Sequence, residues 1–174
     1  GKSTLTIRST QAGEKTVAIR AGNVTLPIQK IKFSPGLVSP THSTVQAVGQ
    51  SVVADGLQQW SLVVQLMDTY QNPIADQVVQ LQLTGTENQI DPADEIKNND
   101  QGKATFIISS RTAEVKMATL VSQKVELLTR PQLLFLAGPL DLKQSRIEAN
   151  NPIAADGEEE SLVKVLAVDA NDNP

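Results

Sequence analysis

The sequence predicts an all-β protein made of tandem β-sandwich domains, one complete and two partial. Three observations support this class. The chain repeats itself at a spacing of 101 residues: GKSTLTIRST at the start returns as GKATFIISS from Gly102. Several segments alternate apolar and polar residues, which is the period of a strand with one buried face. Turn residues separate these segments roughly every 8 to 12 positions, and none has a helical period.

The repeat also sets the predicted domain boundaries. A second block, VVADGLQQWSLVVQLMDTYQNP, returns as IAADGEEESLVKVLAVDANDNP. A period this long exceeds the roughly 20 to 50 residues of solenoid repeats and indicates tandem domains. We expect residues 1–35 to supply the last strands of one domain, residues 36–135 to form a complete domain, and residues 136–174 to supply the first strands of a third. Because Gly1 falls inside a repeat unit, we expect the chain to be a piece of a longer protein.

Composition excludes several classes of protein. Hydrophobic residues make up 40% of the chain but aromatic residues only 3%, so the cores must be built from Val, Leu, Ile and Ala. The net charge is −4 and the basic residues are scattered, which argues against nucleic-acid binding. The absence of Cys excludes disulfides and thiolate metal sites. No apolar run approaches the roughly 18 residues of a membrane span, and the N-terminus has no signal-peptide pattern.

The stretch from Trp60 to Met67 is the clearest predicted strand. Its alternation places Leu62, Val64 and Leu66 on one face, and the same positions in the second copy are Val163, Val165 and Ala167. A turn from Asp68 to Pro73 follows, repeated from Asp169 to Pro174, because Asp and Asn bond their own backbone and Pro fixes φ. Val79, Leu81 and Leu83 then alternate, so we expect the two flanking strands to form a hairpin.

The remaining strands follow from the same alternation. The polar segment from Thr86 to Gln101 predicts a connection with two short strands around Ile90 and Ile96. A strand from Gly102 places Ala104, Phe106 and Ile108 on one face, matched by Ser3, Leu5 and Ile7. Further strands are expected at Val115 to Val121, matched by Glu14 to Ala21; at Leu133 and Phe135, matched by Ile31 and Phe33; and at Ser43 to Val48, matched by Gln144 to Ala149.

About seven short strands per roughly 100 residues are typical of a β-sandwich of the immunoglobulin type. The Cys–Trp–Cys core of antibody domains is absent. Trp60 occupies a position where an inward side chain is expected, but its counterpart is Ser161, so the fold does not require an aromatic residue there.

A set of short motifs recurs in order along the chain. They are Ala54-Asp55-Gly56, Val64 to Asp68, Asn72-Pro73, Gly102 to Ser109, Ala12-Gly13 with Val17, and Phe135. With these motifs the sequence resembles the bacterial immunoglobulin-like domains of the intimin and invasin (inverse autotransporter adhesin) type. It departs from that pattern twice. Glu114 replaces the Gly of Ala-Gly, which puts the turn geometry there in question. Gln71 and Asp172 replace the Gly before Asn-Pro, so we expect a left-handed backbone at residues less permissive than glycine.

The resemblance implies a cell-surface protein on the extracellular side of a Gram-negative outer membrane. In that family a membrane barrel exports a stalk of such domains, which ends in an adhesive tip. Neither barrel nor tip is visible in this sequence, so the implied role is a stalk segment that projects a tip binding a host receptor or extracellular matrix. No enzyme activity is expected, and we assign no catalytic, cofactor-binding or metal-binding residue.

The strongest alternative site is a calcium site in the last turn. VDANDNP resembles the calcium-binding linkers of cadherins, with Asp169, Asn171 and Asp172 as the candidate oxygen ligands. Against this, the first copy reads MDTYQNP and loses the central pair. We favour a hydrogen-bonded turn and keep a calcium-dependent, cadherin-like adhesion module as an alternative.

Other reactive residues have ordinary explanations. The initial Gly-Lys-Ser-Thr lacks the earlier Gly of a phosphate-binding loop, and its copy reads GKAT. His42 is the only histidine and lacks partners for a triad or zinc site. We interpret Glu158 to Glu160 as the solvent-exposed end of a hairpin. Asp91, Asp94 and Glu95 lie in a polar loop that could bring two carboxylates together, as glycosidases require, but such loops are common.

Two questions remain open at the level of sequence. An immunoglobulin-like domain can itself bind a host protein or carbohydrate, and Trp60, Tyr70 and Phe33 are the aromatic residues that could take part. The partial domains at both ends leave strand edges open, which favours strand exchange with another copy or continuation in a longer chain. Burial of Leu5, Ile7, Val163 and Val165 within one chain would contradict the predicted boundaries.

Overall fold

The computed structural model describes residues 2–174, so Gly1, and with it the expected match between Gly1 and Gly102, lies outside the described residues. The described residues form strands and no helix. The strands are β1 (Gly13–Val17), β2 (Arg20–Ala21), β3 (Val24–Thr25), β4 (Gln29–Phe33), β5 (Thr44–Val48), β6 (Val52–Val53), β7 (Trp60–Gln65), β8 (Val78–Leu83), β9 (Asn88–Asp91), β10 (Glu95–Lys97), β11 (Lys103–Ser110), β12 (Val115–Ser122), β13 (Val125–Glu126), β14 (Gln132–Leu136), β15 (Arg146–Ala149) and β16 (Val163–Leu166).

Strands β5 to β14 form a two-sheet sandwich, which we call the central sandwich. One sheet has the order β5-β7-β11-β9, and the other has the order β10-β8-β12-β14-β6, with β13 paired to β12. All pairings in the sandwich are antiparallel except that of β14 with β6, which is parallel. The all-β, immunoglobulin-like class predicted from the sequence is therefore confirmed.

The core lies between the two sheets and is mostly aliphatic. Leu62, Val64 and Leu66 are fully buried, as their alternation predicts, and they face apolar residues of the second sheet. The other buried members include Ala104, Phe106, Ile108, Val79, Leu81, Ala118, Leu120, Leu133 and Phe135. Each buried Val, Leu, Ile or Phe of this set contributes roughly 1.5–3 kcal/mol by leaving water, so this layer is a major source of the stability of the sandwich.

The predicted hairpin between β7 and β8 is wrong. β7 pairs with β5 and β11, whereas β8 pairs with β10 and β12 in the opposite sheet. The turn between them therefore crosses from one sheet to the other. Alternation identifies a strand and its buried face but not its partner, because both sheets bury their inner faces in the same core. The two short strands predicted in the polar segment are present as β9 and β10, one in each sheet.

The remaining strands form small separate sheets. β1 pairs with β4 and β2 with β3 in the N-terminal segment, and β15 pairs with β16 in the C-terminal segment. The strand expected at Ser3 to Ile7 is not formed, although its counterpart in β11 is a regular strand. β11 lies between β7 and β9, and the described residues provide no such neighbours for Ser3 to Ile7. None of the described residues forms a helix of the length and apolarity that a membrane crossing requires.

The registers of these small sheets repeat those of the central sandwich. Lys15 lies opposite Ile31 as Lys116 lies opposite Leu133, and Ile147 lies opposite Val165 as Val45 lies opposite Val64. Val45 and Val64 are buried in the core, whereas Ile147 and Val165 are exposed. Leu5, Ile7 and Val163 are exposed as well, so the burial that would contradict the predicted boundaries does not occur. The boundaries themselves stay a prediction.

Candidate functional site: two repeated joints

The turn that follows β7 ties the central sandwich to the N-terminal segment. Asn72 accepts a hydrogen bond at Oδ1 from the main-chain N–H of Ala12 at 2.8 Å, and its Nδ2 donates to the carbonyl oxygen of Thr10 at 2.8 Å. Asp68 accepts at Oδ2 from the N–H of Gly36, in the connection between the two parts, at 2.8 Å. We call this set of contacts the N-terminal joint.

The turn that follows β16 makes the same contacts with the central sandwich. Asn173 accepts at Oδ1 from the N–H of Ala113 at 2.7 Å, and its Nδ2 donates to the carbonyl oxygen of Arg111 at 2.9 Å. Asp169 accepts at Oδ2 from the N–H of Gly138 at 2.7 Å. We call this set the C-terminal joint. The side-chain and loop partners lie 101 residues after those of the N-terminal joint, and the linker glycine 102 after Gly36.

Each joint is held by side-chain to main-chain bonds that reach across the connection. The Asn side chain supplies both a donor and an acceptor, which matches a neighbouring carbonyl and N–H in the loop it meets. Both bonds form only when the plane of the Asn amide is aligned with the main chain of the loop. Each joint therefore restrains the orientation of the loop relative to the turn. The joints therefore oppose free rotation about the short connections Ser34-Pro35-Gly36 and Ala137-Gly138-Pro139.

The carboxylate in each joint is buried and fully occupied by donors. Burial on its own raises the pKa of the Asp68 carboxyl. Hydrogen bonds from the Gly36 N–H, from the Asn72 side chain and main chain and from the Tyr70 N–H outweigh burial and lower that pKa to about 2. Asp169 has the same balance: burial raises its pKa, while bonds from Gly138, Asn173 and Asn171 lower it to about 2. Both carboxyls are therefore ionised near neutral pH and stabilise the turns as anions.

The backbone of both turns is left-handed at the residue before Asn. Gln71 and Asp172 each have a φ of +63°. The prediction that the left-handed position falls on a residue other than glycine is therefore confirmed. An L residue in this region costs roughly 1–2 kcal/mol, so each turn keeps a strained residue beside the Asn that makes the joint.

The other departure from the family pattern, Glu114 in place of Gly, also changes the local structure. Gly13 has a φ of +122°, whereas Glu114, which replaces it, is not among the residues with positive φ. The Glu114 side chain instead accepts hydrogen bonds from Lys116 Nζ at 2.5 Å and from the Thr86 N–H at 3.0 Å. The hydrogen bond from Lys116 is the main reason that the pKa of Glu114 is lowered.

Sequence reasoning did not single out Lys116, although it is the most unusual residue of the sandwich. Its side chain is completely buried, donates to the Thr86 carbonyl at 2.7 Å as well as to Glu114, and lies 5.9 Å from the centroid of the Phe135 ring. The signal was available: Lys116 shares the inward face of β12 with Ala118 and Leu120, where alternation requires an apolar residue.

The candidate calcium ligands are arranged as a hydrogen-bonded turn. Asp169 Oδ1 accepts from the N–H groups of Asn171 and Asn173 at 2.8 and 2.9 Å, and Asn171 donates its side-chain amide to the carbonyl of Ala54 at 3.1 Å. N–H groups that point at a carboxylate occupy the lone pairs a cation would need. No group of three or more His, Cys, Asp or Glu among residues 2–174 is close enough to hold a metal ion.

The other residues considered as sites do not converge on one another. His42 is half-buried, with Nδ1 3.0 Å from Ser39 Oγ and 3.1 Å from Thr41 Oγ1. Glu158 to Glu160 are exposed beside Asp156, which accepts the N–H groups of Glu158 and Glu159. The carboxylates of the polar loop, Asp91, Asp94 and Glu95, are exposed. Lys2, Ser3 and Thr4 of the initial motif are exposed and lie outside any strand.

The aromatic residues divide into buried and accessible ones. Trp60 is buried and donates its indole N–H to the Leu134 carbonyl at 3.2 Å, so it is not available to a ligand. Tyr70 is exposed and lines an open groove together with Phe33 and Ile7. The counterparts of Phe33 and Ile7 in the central sandwich are the buried Phe135 and Ile108. The groove therefore exposes two apolar residues of the N-terminal segment whose counterparts are buried, next to Tyr70 of the turn that follows β7.

Comparison with known proteins places this architecture in a family. The model of the bacterial Ig-like domain (group 1) matches residues 42–131, which cover more than half of the chain and most of the central sandwich. The chain belongs to the bacterial Ig-like domain family, group 1. The resemblance drawn from its sequence motifs is therefore confirmed. A search of curated protein sequences finds no match.

Solved structures with a similar fold include a protein described as integrin-binding and one described as an adhesin. Invasin, described as a bacterial integrin-binding protein, is 24% identical, with a TM-score of 0.65 over 93% of this chain and 33% of that chain. The Escherichia coli adhesin FdeC is 18% identical, with a TM-score of 0.68 over 94% of this chain and 52% of that one. InvD of Yersinia pseudotuberculosis is 14% identical, with a TM-score of 0.67 over 93% and 51%. This bacterial Ig-like chain thus spans a third to about half of these proteins, and its likeness to them is one of fold.

Proposed function

We propose that this chain is a stalk segment of an adhesin on the surface of a Gram-negative bacterium. In this proposal residues 1–35, 36–135 and 136–174 belong to three successive Ig-like domains, and the two joints hold neighbouring domains in a fixed orientation. The stalk keeps a binding tip away from the outer membrane so that it can reach a host receptor or matrix protein. The segment itself carries no enzymatic activity.

The observation that carries the proposal is that the same side-chain to main-chain hydrogen bonds occur at both joints. Asp68 and Asn72 are spaced as Asp169 and Asn173 are, and their partners Ala12 and Ala113 repeat at the same interval. Residues that only stabilised the turn would not need partners in the preceding part of the chain. A repeated contact between successive units is what a rigid array requires, because its reach depends on every joint being fixed.

The similar folds support an adhesive role more than a catalytic one. Invasin is described as integrin-binding and FdeC as an adhesin, and both resemble this chain over more than nine-tenths of its length. We infer by analogy that the full protein binds a host receptor, with the tip supplied outside residues 1–174. The burial of Trp60 removes the strongest candidate for a ligand contact in the central sandwich itself.

Surface labelling and adhesion assays test this role. Antibodies against the chain should label intact bacteria, and deletion of the gene should lower attachment to host cells. In the full protein, Asn72→Ala together with Asn173→Ala should leave the amount of surface protein unchanged and reduce attachment. An exposed-site pair such as Gln80→Ala with Gln82→Ala serves as the matched control. Labelling that requires permeabilised cells would contradict the proposal.

A further inference from the structure

The loop that binds Asn173 joins strands β11 and β12. It offers the N–H of Ala113 to the Asn173 side chain at 2.7 Å and the carbonyl of Arg111 at 2.9 Å. Neither residue belongs to a strand, so pairing within the sheet does not fix the direction of these groups. Other contacts must therefore hold residues 111–113, which we call the receiving loop, in the conformation that Asn173 binds.

Two charged side chains next to the receiving loop hold the main chain of Thr86. Glu114 accepts the Thr86 N–H at 3.0 Å, and Lys116 Nζ donates to the Thr86 carbonyl at 2.7 Å. Lys116 Nζ also donates to Glu114 Oε1 at 2.5 Å, which joins the two side chains to each other. The Lys116 side chain is fully buried, so burial and two hydrogen bonds fix its ammonium group in one place. We call Thr86, Glu114 and Lys116 the Thr86 clamp.

The glycine before Thr86 shows how closely the clamp is packed. Gly85 has a φ of +81°, and a Cβ added there would lie 2.1 Å from Glu114 Oε1 and 2.9 Å from Lys116 Nζ. Contacts this short are too close for a Cβ, so the two charged groups can meet only because position 85 has no side chain. The clamp thus ties the loop between β8 and β9 to the end of the receiving loop.

The N-terminal joint has no such carboxylate. Gly13 takes the place of Glu114 there, with a φ of +122°. Lys15 takes the place of Lys116, and its Nζ donates to Gln11 Oε1 at 3.4 Å, which is a long hydrogen bond. The two joints therefore share the contacts of the Asn side chain and differ in the groups that surround the loop it binds.

We propose that the Thr86 clamp holds the receiving loop in the conformation that binds Asn173, so that Lys116 and Glu114 are positioning residues of the C-terminal joint. Glu114 follows Ala113 directly in the chain, so a fixed Glu114 side chain limits the directions open to the Ala113 N–H. A loop that is already ordered in its bound conformation loses less entropy when it binds. The inference rests on the proposed function, because it assumes that the joints orient successive domains.

Distance measurements between spin labels test this role in the full chain. Labels at Thr105→Cys and Lys164→Cys lie on either side of the C-terminal joint. Lys116→Met removes both donors of the clamp and keeps most of the side-chain volume, and it should broaden the distance distribution as Asn173→Ala does. The fluorescence of Trp60 verifies that each variant is folded.

Hydrogen exchange at the Ala113 N–H measures the size of the effect. Lys116→Met leaves Asn173 in place, yet exchange at Ala113 should rise about three- to tenfold, because a loop without its clamp opens more often. Gln46→Gly in β5 is the control for stability, since a strand glycine weakens the same sandwich far from the clamp. It should change neither exchange at Ala113 nor the distance distribution.

Substitutions of Glu114 test the clamp from its other side. Glu114→Gln keeps an acceptor for the Thr86 N–H and should leave exchange at Ala113 close to that of the unaltered chain. Glu114→Ala removes the acceptor and should speed exchange as Lys116→Met does. Lys15→Met, at the matched position of the N-terminal joint, should leave exchange at Ala12 unchanged.

Three results would overturn the inference. A narrow distribution and unchanged exchange at Ala113 in Lys116→Met would show that the joint does not depend on the clamp. Equal effects of Lys116→Met and Gln46→Gly would show that Lys116 acts only through the stability of the sandwich. Unchanged exchange at Ala113 in Asn173→Ala would instead refute the joint itself, and the inference with it.

Discussion

The side chain of Asn72 accepts a hydrogen bond from the main-chain N–H of Ala12 across 60 residues of sequence. Asn173 holds Ala113 in the same way, also across 60 residues. The same hydrogen bond, from an Ala main-chain N–H to an Asn side-chain oxygen, thus occurs twice, once at each end of the central sandwich. The repeat allows each joint to serve as the control for the other.

Replacing Asn72 should release the N-terminal joint only. In Asn72→Ala, the N–H of Ala12 loses its acceptor and should exchange with solvent faster, by about fivefold if the lost bond contributes roughly 1 kcal/mol. The N–H of Ala113 should keep its rate, and Asn173→Ala should give the opposite pattern. Hydrogen exchange measured by NMR gives both rates in one sample. Unchanged exchange at Ala12 in Asn72→Ala would show that the bond does not restrain the joint.

The two joint carboxylates should make the protein less stable in acid. Their folded pKa of about 2 lies below the ordinary Asp value of 3.8. The stabilisation is therefore fully present above pH 3.8 and is lost as the pH falls through 3.8 towards 2. A difference of this size corresponds to about 2 kcal/mol for each buried carboxyl.

Urea unfolding followed by Trp60 fluorescence measures this loss. In Asp68→Asn the unfolding free energy of the central sandwich should fall at neutral pH by about 1–3 kcal/mol, because donors lose a charged acceptor. The difference from the unaltered chain should shrink as the pH approaches 2. Asp100→Asn, at an exposed position, is the control and should follow the unaltered chain. Parallel pH profiles for Asp68→Asn and the unaltered chain would contradict the assignment.

Glycine should be better than glutamine at position 71. Gln71 has a φ of +63°, and glycine adopts this conformation without a steric penalty, although it loses more entropy on folding. We expect Gln71→Gly to raise the unfolding free energy by about 0.5–1 kcal/mol. Gln82→Gly in the regular strand β8 should lower it by a similar amount. If both substitutions destabilise equally, the turn is not strained at this residue.

The buried charge of Lys116 should be dispensable if its volume is kept. Removing one partner of an ion pair leaves the other without its counter-charge, and removing the bulk of a buried side chain leaves a cavity. Because the Glu114 side chain is 34% exposed and can be solvated by water, we expect Lys116→Met to lower the unfolding free energy by only about 1 kcal/mol, and Lys116→Ala by about 3 kcal/mol. Thermal or urea unfolding distinguishes them. An equal loss of about 3 kcal/mol in Lys116→Met and Lys116→Ala would contradict this and show that the charge, rather than the volume, is required.

Calcium should leave the melting temperature unchanged. A metal that binds only the folded state raises the unfolding midpoint, by RT ln(1 + [L]/Kd) in free energy. The lone pairs of Asp169 accept N–H groups of Asn171, Asn173 and Gly138, so we expect no shift at millimolar calcium. Magnesium at the same ionic strength is the control. A calcium-specific rise, lost in Asp172→Asn, would support the cadherin-like alternative.

The sequence predicts the sandwich well because its strands obey a local rule. Alternation places Leu62 and Val64 inward, and the 101-residue repeat identifies the matching positions even where the residues differ. The left-handed position at Gln71 is predictable too, since it replaces the glycine that the family uses there. These features depend on the residue itself and on its near neighbours.

Contacts between residues that are far apart in sequence were harder to predict. The turn at Asp68 to Pro73 is recognisable as a turn, but its role as a joint depends on Ala12 and Gly36, which are far away in sequence. The signal that could have revealed it is that the turn, the Ala-bearing loop and the linker glycine all repeat together. The hairpin was wrong for the same reason, because nothing local distinguishes a turn within a sheet from one between sheets. The burial of Lys116 was not predicted because the groups that accept its hydrogen bonds lie outside strand β12.

The central claim is that the joints fix the orientation of successive units, and distance measurements between spin labels test it most directly. Labels at Thr16→Cys and Thr105→Cys span the N-terminal joint, and labels at Thr105→Cys and Lys164→Cys span the C-terminal joint. We predict a single narrow distance distribution for each pair. Asn72→Ala should broaden only the first distribution, and Asn173→Ala only the second. Broad distributions in the unaltered joints, or distributions that neither substitution changes, would contradict the account.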